Sequence, residues 1–275
     1  MNISDTDIAT ALTVAEKTIS TFSHAIVKVP CRNLVNGITS SNSGIPDFEK
    51  AFKQHKAYCD ALIKCGLEVT VLDADNNFPD STFIEDVALL TPNCAVITNP
   101  FAPSRKDETI GLKDVLSAFY FNEQIEKINH PGTVDAGDIM MVGSHFYIGL
   151  SARTNREGAE QMTAILNKYG MTASTIAVKN VLHLKTGISY LENNNLLVSS
   201  GFISDPELQK FNLMQVSNSE SYAANCLWIN GTVLVPGGYQ AVKNKIEKAG
   251  YPTIEIDMSE FQKVDGGLTC LSLRF

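Results

Sequence analysis

The sequence is poor in several features that would have decided its class early. No apolar run approaches the roughly 20 residues that span a bilayer, so no membrane segment is expected. Positive charge is in deficit: 22 Lys+Arg stand against 30 Asp+Glu, a formal net charge of −8. Nucleic-acid binding, which needs clustered Lys/Arg to neutralise phosphates, is excluded on that balance. Near the N-terminus, Asp5 and Asp7 stand where an export signal would be basic, so no signal peptide is read. The six cysteines, Cys31, Cys59, Cys65, Cys94, Cys226 and Cys270, form no CxxC pair and no framework spacing. Reduced thiols in a cytoplasmic protein are therefore expected, rather than disulfides or a zinc site. No Gly-rich phosphate loop follows an early strand, and no linker or low-complexity tract divides the chain.

What is present is an ordinary globular composition, 275 residues with 44% hydrophobic and 19% charged. A chain of this size can bury roughly 70–75% of its unfolded surface. A weak internal repeat organises it. Residues 46–64 read as a helix, with Pro46 in the first turn, Phe48, Phe52, Cys59, Leu62 and Ile63 at helical spacing, and Gly66 as the cap. A strand over 68–73 follows. The same unit returns at 155–169 with Gly170 and strand 172–178, and at 239–249 with Gly250 and strand 252–257. Fainter copies lie at 107–119 before strand 124–128, and at 206–213 before strand 214–217.

After each unit come a loop and an apolar hairpin: 87–90 with 95–98, 139–142 with 145–150, 188–191 with 196–199, and 226–229 with 232–235. A fifth hairpin exists only if residues 25–29 pair with 270–274. Five units, the last completed by both chain ends, predict a closed ring. The expected architecture is one α/β domain over residues 21–275, with an added N-terminal extension over 1–20 read as an amphipathic helix.

In such a ring the loops before the hairpins converge on the axis, and their contents are unusual. They hold Asp80, Glu85 and Asp86; Asp135 and Asp138; His183; Asp265 and Cys270. Taken singly, each has an ordinary explanation: a cysteine packs in cores, and an aspartate beside glycine makes a turn. Their placement at the same point of successive repeats points instead to one site. A thiolate is a nucleophile, a histidine is a general acid and base, and Asp135 would orient and charge-stabilise that ring. The surplus carboxylates suit a cationic substrate, and a planar, permanently charged guanidinium fits them well.

The motifs Phe78-Pro-Asp-Ser-Thr-Phe-Ile-Glu-Asp-Val-Ala88, Ala102-Pro-Ser-Arg105, Gly149-Leu-Ser-Ala-Arg-Thr-Asn155, His183-Leu-Lys185 and Lys263-Val-Asp-Gly-Gly-Leu-Thr-Cys270 together resemble the dimethylarginine dimethylaminohydrolases of the guanidine-modifying, or pentein, superfamily. The resemblance runs in order from about Ala25 to the C-terminus. It implies a five-bladed α/β propeller of ββαβ-type repeats closed by the N- and C-terminal strands. It also implies hydrolysis of N-omega-methylated arginines to citrulline and methylamine or dimethylamine. Cys270 would attack the guanidinium carbon, and His183 would protonate the leaving amine and then activate water, with Asp135 as its acidic partner. Glu85 and Asp86 match the pair at the guanidine end. Asp80 matches a ligand of the amino-acid end, Arg105 and Arg153 a carboxylate clamp, Leu34 a lid position and Val264 a lining residue. Asp265 joins the substrate-binding set. No metal or organic cofactor is implied. The expected partner is a small guanidino molecule, without nucleic acid or membrane, in a monomer or a homodimer.

Two departures bear on the substrate. Ala136-Gly137-Asp138 stands where the family often has Gly-Gly-Asp, so a methyl group is added near that turn. Arginine deiminases and amidinotransferases typically carry His-x-Asp where this chain has His183-Leu-Lys185. A lysine leaves that side less acidic and suits an alkylated nitrogen. The alternatives are an arginine deiminase-type enzyme with the same Cys–His–acid site, and a non-catalytic binding module on the same fold.

Overall fold

The computed structural model describes residues 21–275; the extension expected over residues 1–20 lies outside them. The chain enters through β1 (His24–Lys28), crosses by helix α1 (Phe48–Lys64) and returns as β2 (Glu68–Leu72). Asp47 opens α1 by accepting a 2.9 Å hydrogen bond from the Lys50 amide, so Pro46 stands just before the cap rather than in the first turn. Ala51, Tyr58, Ala61 and Leu62 form its buried face, each large side chain contributing about 1.5–3 kcal/mol by leaving water.

Four further units follow the same plan. They are β3 (Ala88–Leu90), β4 (Ala95–Ile97) and β5 (Ile125–Lys127); β6 (Ile139–Val142), β7 (His145–Leu150) and β8 (Thr172–Ala177); β9 (Ile188–Tyr190), β10 (Asn195–Val198) and β11 (Asn212–Gln215); and β12 (Leu227–Ile229), β13 (Thr232–Pro236) and β14 (Thr253–Ile256). Helices Leu112–Leu116, Arg156–Lys168 and Gln240–Lys248 cross within three of these units, and only a short turn, Pro206–Leu208, within the other. In each, the first two strands are antiparallel and the outer strand runs parallel to the middle one, the arrangement a helical crossover requires. The last strand, β15 (Ser272–Arg274), pairs antiparallel with β1 in the register Ala25↔Arg274, so the fifth sheet, β15-β1-β2, joins the two ends.

The five three-stranded sheets are the five predicted repeats. Gly66, Gly170 and Gly250, the repeat's own signature, all take left-handed φ values of 91°, 77° and 95° as their helices end. Three elements differ from expectation, one being the helix foreseen over 206–213, which is a single turn, Pro206–Leu208, before a strand that starts at Asn212. The helix foreseen over 107–119 is split by Gly111 at φ 77° into the turn Pro103–Thr109 and the helix Leu112–Leu116. Cys270 lies in the one-turn segment Thr269–Leu271, just before β15 rather than in it.

Each first strand is preceded by a short turn, and side chains staple each turn to the next unit. Asp86 Oδ1 accepts from the Gly137 amide (3.1 Å), and Asp138 Oδ1 from the Leu184 amide (2.9 Å). Ser189 Oγ accepts from the Cys226 amide (3.0 Å), and Asn225 Oδ1 from the Thr269 amide (3.0 Å). At the fifth junction Arg274 Nη2 donates to Glu85 Oε1 (2.6 Å). The residues expected at the hub therefore sit on a ring of turns tied to one another. Among the described residues no helix is long and apolar enough to cross a membrane.

Candidate active site

A cavity of about 160 Å³ opens at the hub. Its wall includes Asp80, Asp86, Arg105, Asp135, Arg153, His183, Val264, Asp265 and Cys270, nine of the eleven residues assigned a catalytic or substrate-binding role from the sequence. The other two are placed elsewhere. Leu34 is fully buried in the core between β1, α1 and the turn around Phe261, because the turn Arg32–Asn36 points it inward. Ile38, on the loop that follows, faces the cavity instead and was missed. A lone apolar residue in a polar loop gives no pattern to find it by. Glu85 turns away from this wall. Its Oε1 is held by Lys185 Nζ at 2.7 Å and Arg274 Nη2 at 2.6 Å, beside a second cavity that runs along the ring axis. Its Oε2 is buried without a hydrogen-bond partner.

Cys270 sits in a turn whose amide donates to the Gly267 carbonyl at 3.1 Å, while the Gly267 amide donates to Sγ at 3.4 Å. Burial, then the charges of Glu85 and Asp86, push the thiol up to about 12. The free protein thus holds Cys270 protonated, and only added positive charge near the sulfur would favour the thiolate.

His183 lies between two carboxylates. Nε2 is 3.2 Å from Asp135 Oδ2, and Nδ1 is 3.9 Å from Asp86 Oδ1. Asp135 is itself fully buried and fixed by the Phe101 amide, which donates to Oδ1 at 3.1 Å. Burial works against the imidazolium, yet Asp86, Asp135 and Asp138 overcome it and raise His183 to about 9. The ring is charged at neutral pH and ready to give up a proton. Gly137 makes this packing possible: a Cβ there would stand 2.7 Å from both Asp86 Oδ1 and His183 Nδ1. Ala136, whose methyl looked troublesome in the sequence, is buried in the core behind the turn, so the crowded position is the next one.

Asp138 accepts from Ser151 Oγ (2.6 Å), Thr154 Oγ1 (2.7 Å) and the Leu184 amide, and so joins the loops that carry Arg153 and His183. At the cavity mouth, Asp80 Oδ1 accepts from the Ile38 amide at 2.9 Å, and Asp265 Oδ2 from the Ser40 amide and hydroxyl at 2.6 and 2.9 Å. Two carboxylates therefore hold down the loop over the cavity. Arg153 Nη1 stands 3.9 Å from Asp135 Oδ2 and is partly exposed. Ligand atoms of Asp86, Asp135 and His183 lie within 4.8 Å of one another. Both carboxylates thus act on the one imidazole.

The raised His183 has a measurable consequence for stability. Its stabilising charge is fully present below about pH 6.5, the unfolded value, and is lost as pH rises through about 9. The unliganded protein should therefore lose up to about 3 kcal/mol over that window. Thermal melts from pH 6 to 9.5 should show a fall in Tm that His183→Gln largely removes; parallel curves for the two proteins would contradict the assignment.

Comparison with known proteins agrees with this arrangement. The family profile described as "N,N dimethylarginine dimethylhydrolase, eukaryotic" matches residues 40–272. The N(G),N(G)-dimethylarginine dimethylaminohydrolase of Pseudomonas aeruginosa is 53% identical over 254 residues, covering 92% of this chain and all of that protein. A solved Cys-to-Ser variant of the Pseudomonas aeruginosa enzyme, complexed with citrulline, superposes with a TM-score of 0.92 at 52% identity over 93% of this chain and all of that one. A His-to-Gly dimethylarginine dimethylaminohydrolase bearing an adduct with S-methyl-L-thiocitrulline gives 0.91 at 52% identity over the same shares. With a family match over residues 40–272, a 53% identical relative covered over its whole length and a fold that superposes closely, the chain belongs to the dimethylarginine dimethylaminohydrolase family.

Proposed function

We propose that this protein hydrolyses N-omega-methylated arginine to citrulline and methylamine or dimethylamine, with residues 21–275 acting as one catalytic unit. The observation that carries the reading is the joint placement of Cys270, His183, Asp86 and Asp135 around one acidic cavity. The family's citrulline and thiocitrulline complexes support the same substrate class.

In this mechanism the guanidinium enters beside Asp86 and adds positive charge next to Cys270. The thiol then loses its proton to solvent, and Sγ attacks the guanidinium carbon. His183 passes its proton to the methylated nitrogen, the carbon–nitrogen bond breaks, and the amine leaves a thiouronium on Cys270. Neutral His183 next takes a proton from water as the water oxygen attacks that carbon. Breaking the carbon–sulfur bond then releases citrulline, the second water proton passing to the departing sulfur and restoring the Cys270 thiol. Asp135 keeps the ring oriented through both steps. Arg153, less enclosed than Arg105, is the better clamp for the substrate carboxylate, and Asp80 and Asp265 fix the mouth loop over its amino-acid end. The reading includes a cytoplasmic enzyme acting on a free small molecule, as a monomer or a homodimer.

Lys185 favours methylated over unmethylated arginine. Its 2.7 Å contact occupies Glu85 and removes a carboxylate that a free guanidine nitrogen would use. Steady-state assays should rank asymmetric dimethylarginine and monomethylarginine above arginine by at least about tenfold in kcat/KM, a difference of about 1.4 kcal/mol. Equal or better turnover of arginine would reassign the enzyme as a deiminase with the same chemistry.

A further inference from the structure

We infer that Asn225 is a positioning residue that sets the turn carrying Cys270 against the loop carrying His183; the inference rests on the catalytic reading of that pair. Asn225 follows the short turn Asn218–Ala224 and is 6% exposed. Its side chain makes three hydrogen bonds across the hub. Oδ1 accepts from the Thr269 amide at 3.0 Å; Nδ2 donates to Thr269 Oγ1 at 2.9 Å and to the Lys185 carbonyl at 2.9 Å. Thr269 immediately precedes Cys270, and Lys185 stands two residues beyond His183. One rigid carboxamide therefore spans the two segments.

The surroundings show that the carboxamide is wedged in place. A Cβ on Gly267 would lie 2.7–3.0 Å from the Asn225 side-chain atoms, so the second glycine of the Asp265-Gly-Gly267 motif is kept small by this contact. Gly267 is also the residue whose carbonyl and amide hold the Cys270 amide and Sγ. Asn225 thus bears on both Gly267 and Thr269, the residues that set the turn leading into Cys270. Its chemistry differs from that of the staples at two other junctions. Asp86 and Asp138 catch a neighbouring amide with a carboxylate, whereas the junction at the cysteine uses a neutral group. A carboxylate there would add a third negative charge near a thiol that already feels Glu85 and Asp86. It could accept from Thr269 but could not donate to Lys185.

Asn225→Leu removes all three bonds at similar volume, and Asn225→Asp removes the amide donor and adds a negative charge. Misplacing a reacting group by about 1 Å can cost about 100-fold in rate. The leucine variant should lose about 30- to 100-fold in kcat with KM near the parent value, and the aspartate variant a smaller but clear amount. Gly267→Ala, which pushes on the carboxamide from behind, should reproduce the leucine defect. Alkylation of Cys270 by iodoacetamide, followed by peptide mass spectrometry, reads the position of the turn without substrate. It should speed up severalfold in the leucine variant while the other five cysteines keep their rates. If the leucine protein does not fold, the aspartate and Gly267→Ala proteins decide. A kcat within about twofold of the parent together with unchanged Cys270 alkylation would overturn the proposal, as would a rise in KM alone. A parent protein that does not turn over methylarginine would refute the catalytic reading instead, and the alkylation rates would still report on the turn.

Discussion

Replacing Cys270 by serine should abolish turnover of methylated arginine, lowering kcat by roughly 10⁴-fold or more. The reason lies in the ionisation of the nucleophile. Burial and the neighbouring Glu85 and Asp86 hold even the thiol up to about 12. A serine hydroxyl starts several units higher, so the charge of one arriving guanidinium is too small to ionise it. The substitution is nearly isosteric, and the turn at 269–271 is held by the Gly267 backbone and Asn225, so Tm should stay close to the parent value. Intact-mass spectrometry of protein quenched during turnover should show an adduct on the parent, located on the Cys270 peptide and absent from Cys270→Ser. Full turnover by the serine protein would sink the covalent mechanism. A fall in activity matched by a large fall in Tm would attribute the loss to folding instead.

The repeat was readable because the same physical requirement recurs. Wherever a long helix must end and reverse into an outer strand, a left-handed residue is needed, and Gly66, Gly170 and Gly250 supply it. Continuous apolar strands flank a short turn at Gly143-Ser144, which is why β6 and β7 were placed to the residue. The signal failed where helices are short. Residues 107–119 have apolar residues at helical spacing, but Gly111 adopts φ 77° and divides the segment. In the unit around 206–213 only one turn, Pro206–Leu208, crosses between the strands, and Asn212–Gln215 begins its pairing two residues earlier than its hydrophobicity suggests. Short connections leave too few periods to fix a boundary.

The site was legible to the extent that its chemistry depends on residue type at a repeated position. Cys270, His183, Asp86 and Asp135 announced themselves by standing at equivalent points of successive units. What could not be read is which way a side chain turns. Glu85 and Asp86 are adjacent, yet one meets Lys185 and Arg274 while the other faces His183. Leu34 and Ile38 are four residues apart, and only the path of the intervening turn decides which enters the core. Arg274 and Asn225 carried no chemical signature at all, and Lys185 stood out only as a lysine where related enzymes have an acid, not as the partner of Glu85. They matter because ring closure brings the last strand and the fourth hub turn against the others, a long-range contact that local pattern does not encode.

Arg105 makes the same point energetically, and its replacement by methionine should be strongly destabilising. From sequence it belonged to a carboxylate clamp, and it does stand in the cavity wall. Its guanidinium is already committed, however. Nη1 donates to Asp86 Oδ2 at 2.5 Å, Nε and Nη2 donate to Glu108, and Nη2 also reaches the Phe83 carbonyl at 2.9 Å. Arg105, Asp86 and Glu108 are all nearly inaccessible, with side chains 6%, 4% and 3% exposed. Removing the cation leaves two buried carboxylates, and breaking a buried pair in this way costs about 3–5 kcal/mol. Denaturant unfolding should show that deficit at pH 7.5. It should shrink at pH 5, because the orphaned Glu108, whose carboxyl burial already raises, then takes up a proton in the folded state and sheds its charge, while His183 and the Gly137 amide still favour the Asp86 carboxylate. Restoring neutrality with Glu108→Gln in the same protein should recover part of the loss. A residue serving only to clamp substrate would behave differently: KM would rise while the unfolding midpoint stayed where it was. That outcome would return Arg105 to the role its motif suggested, and would leave Asp86 held against His183 by something other than the cation it touches.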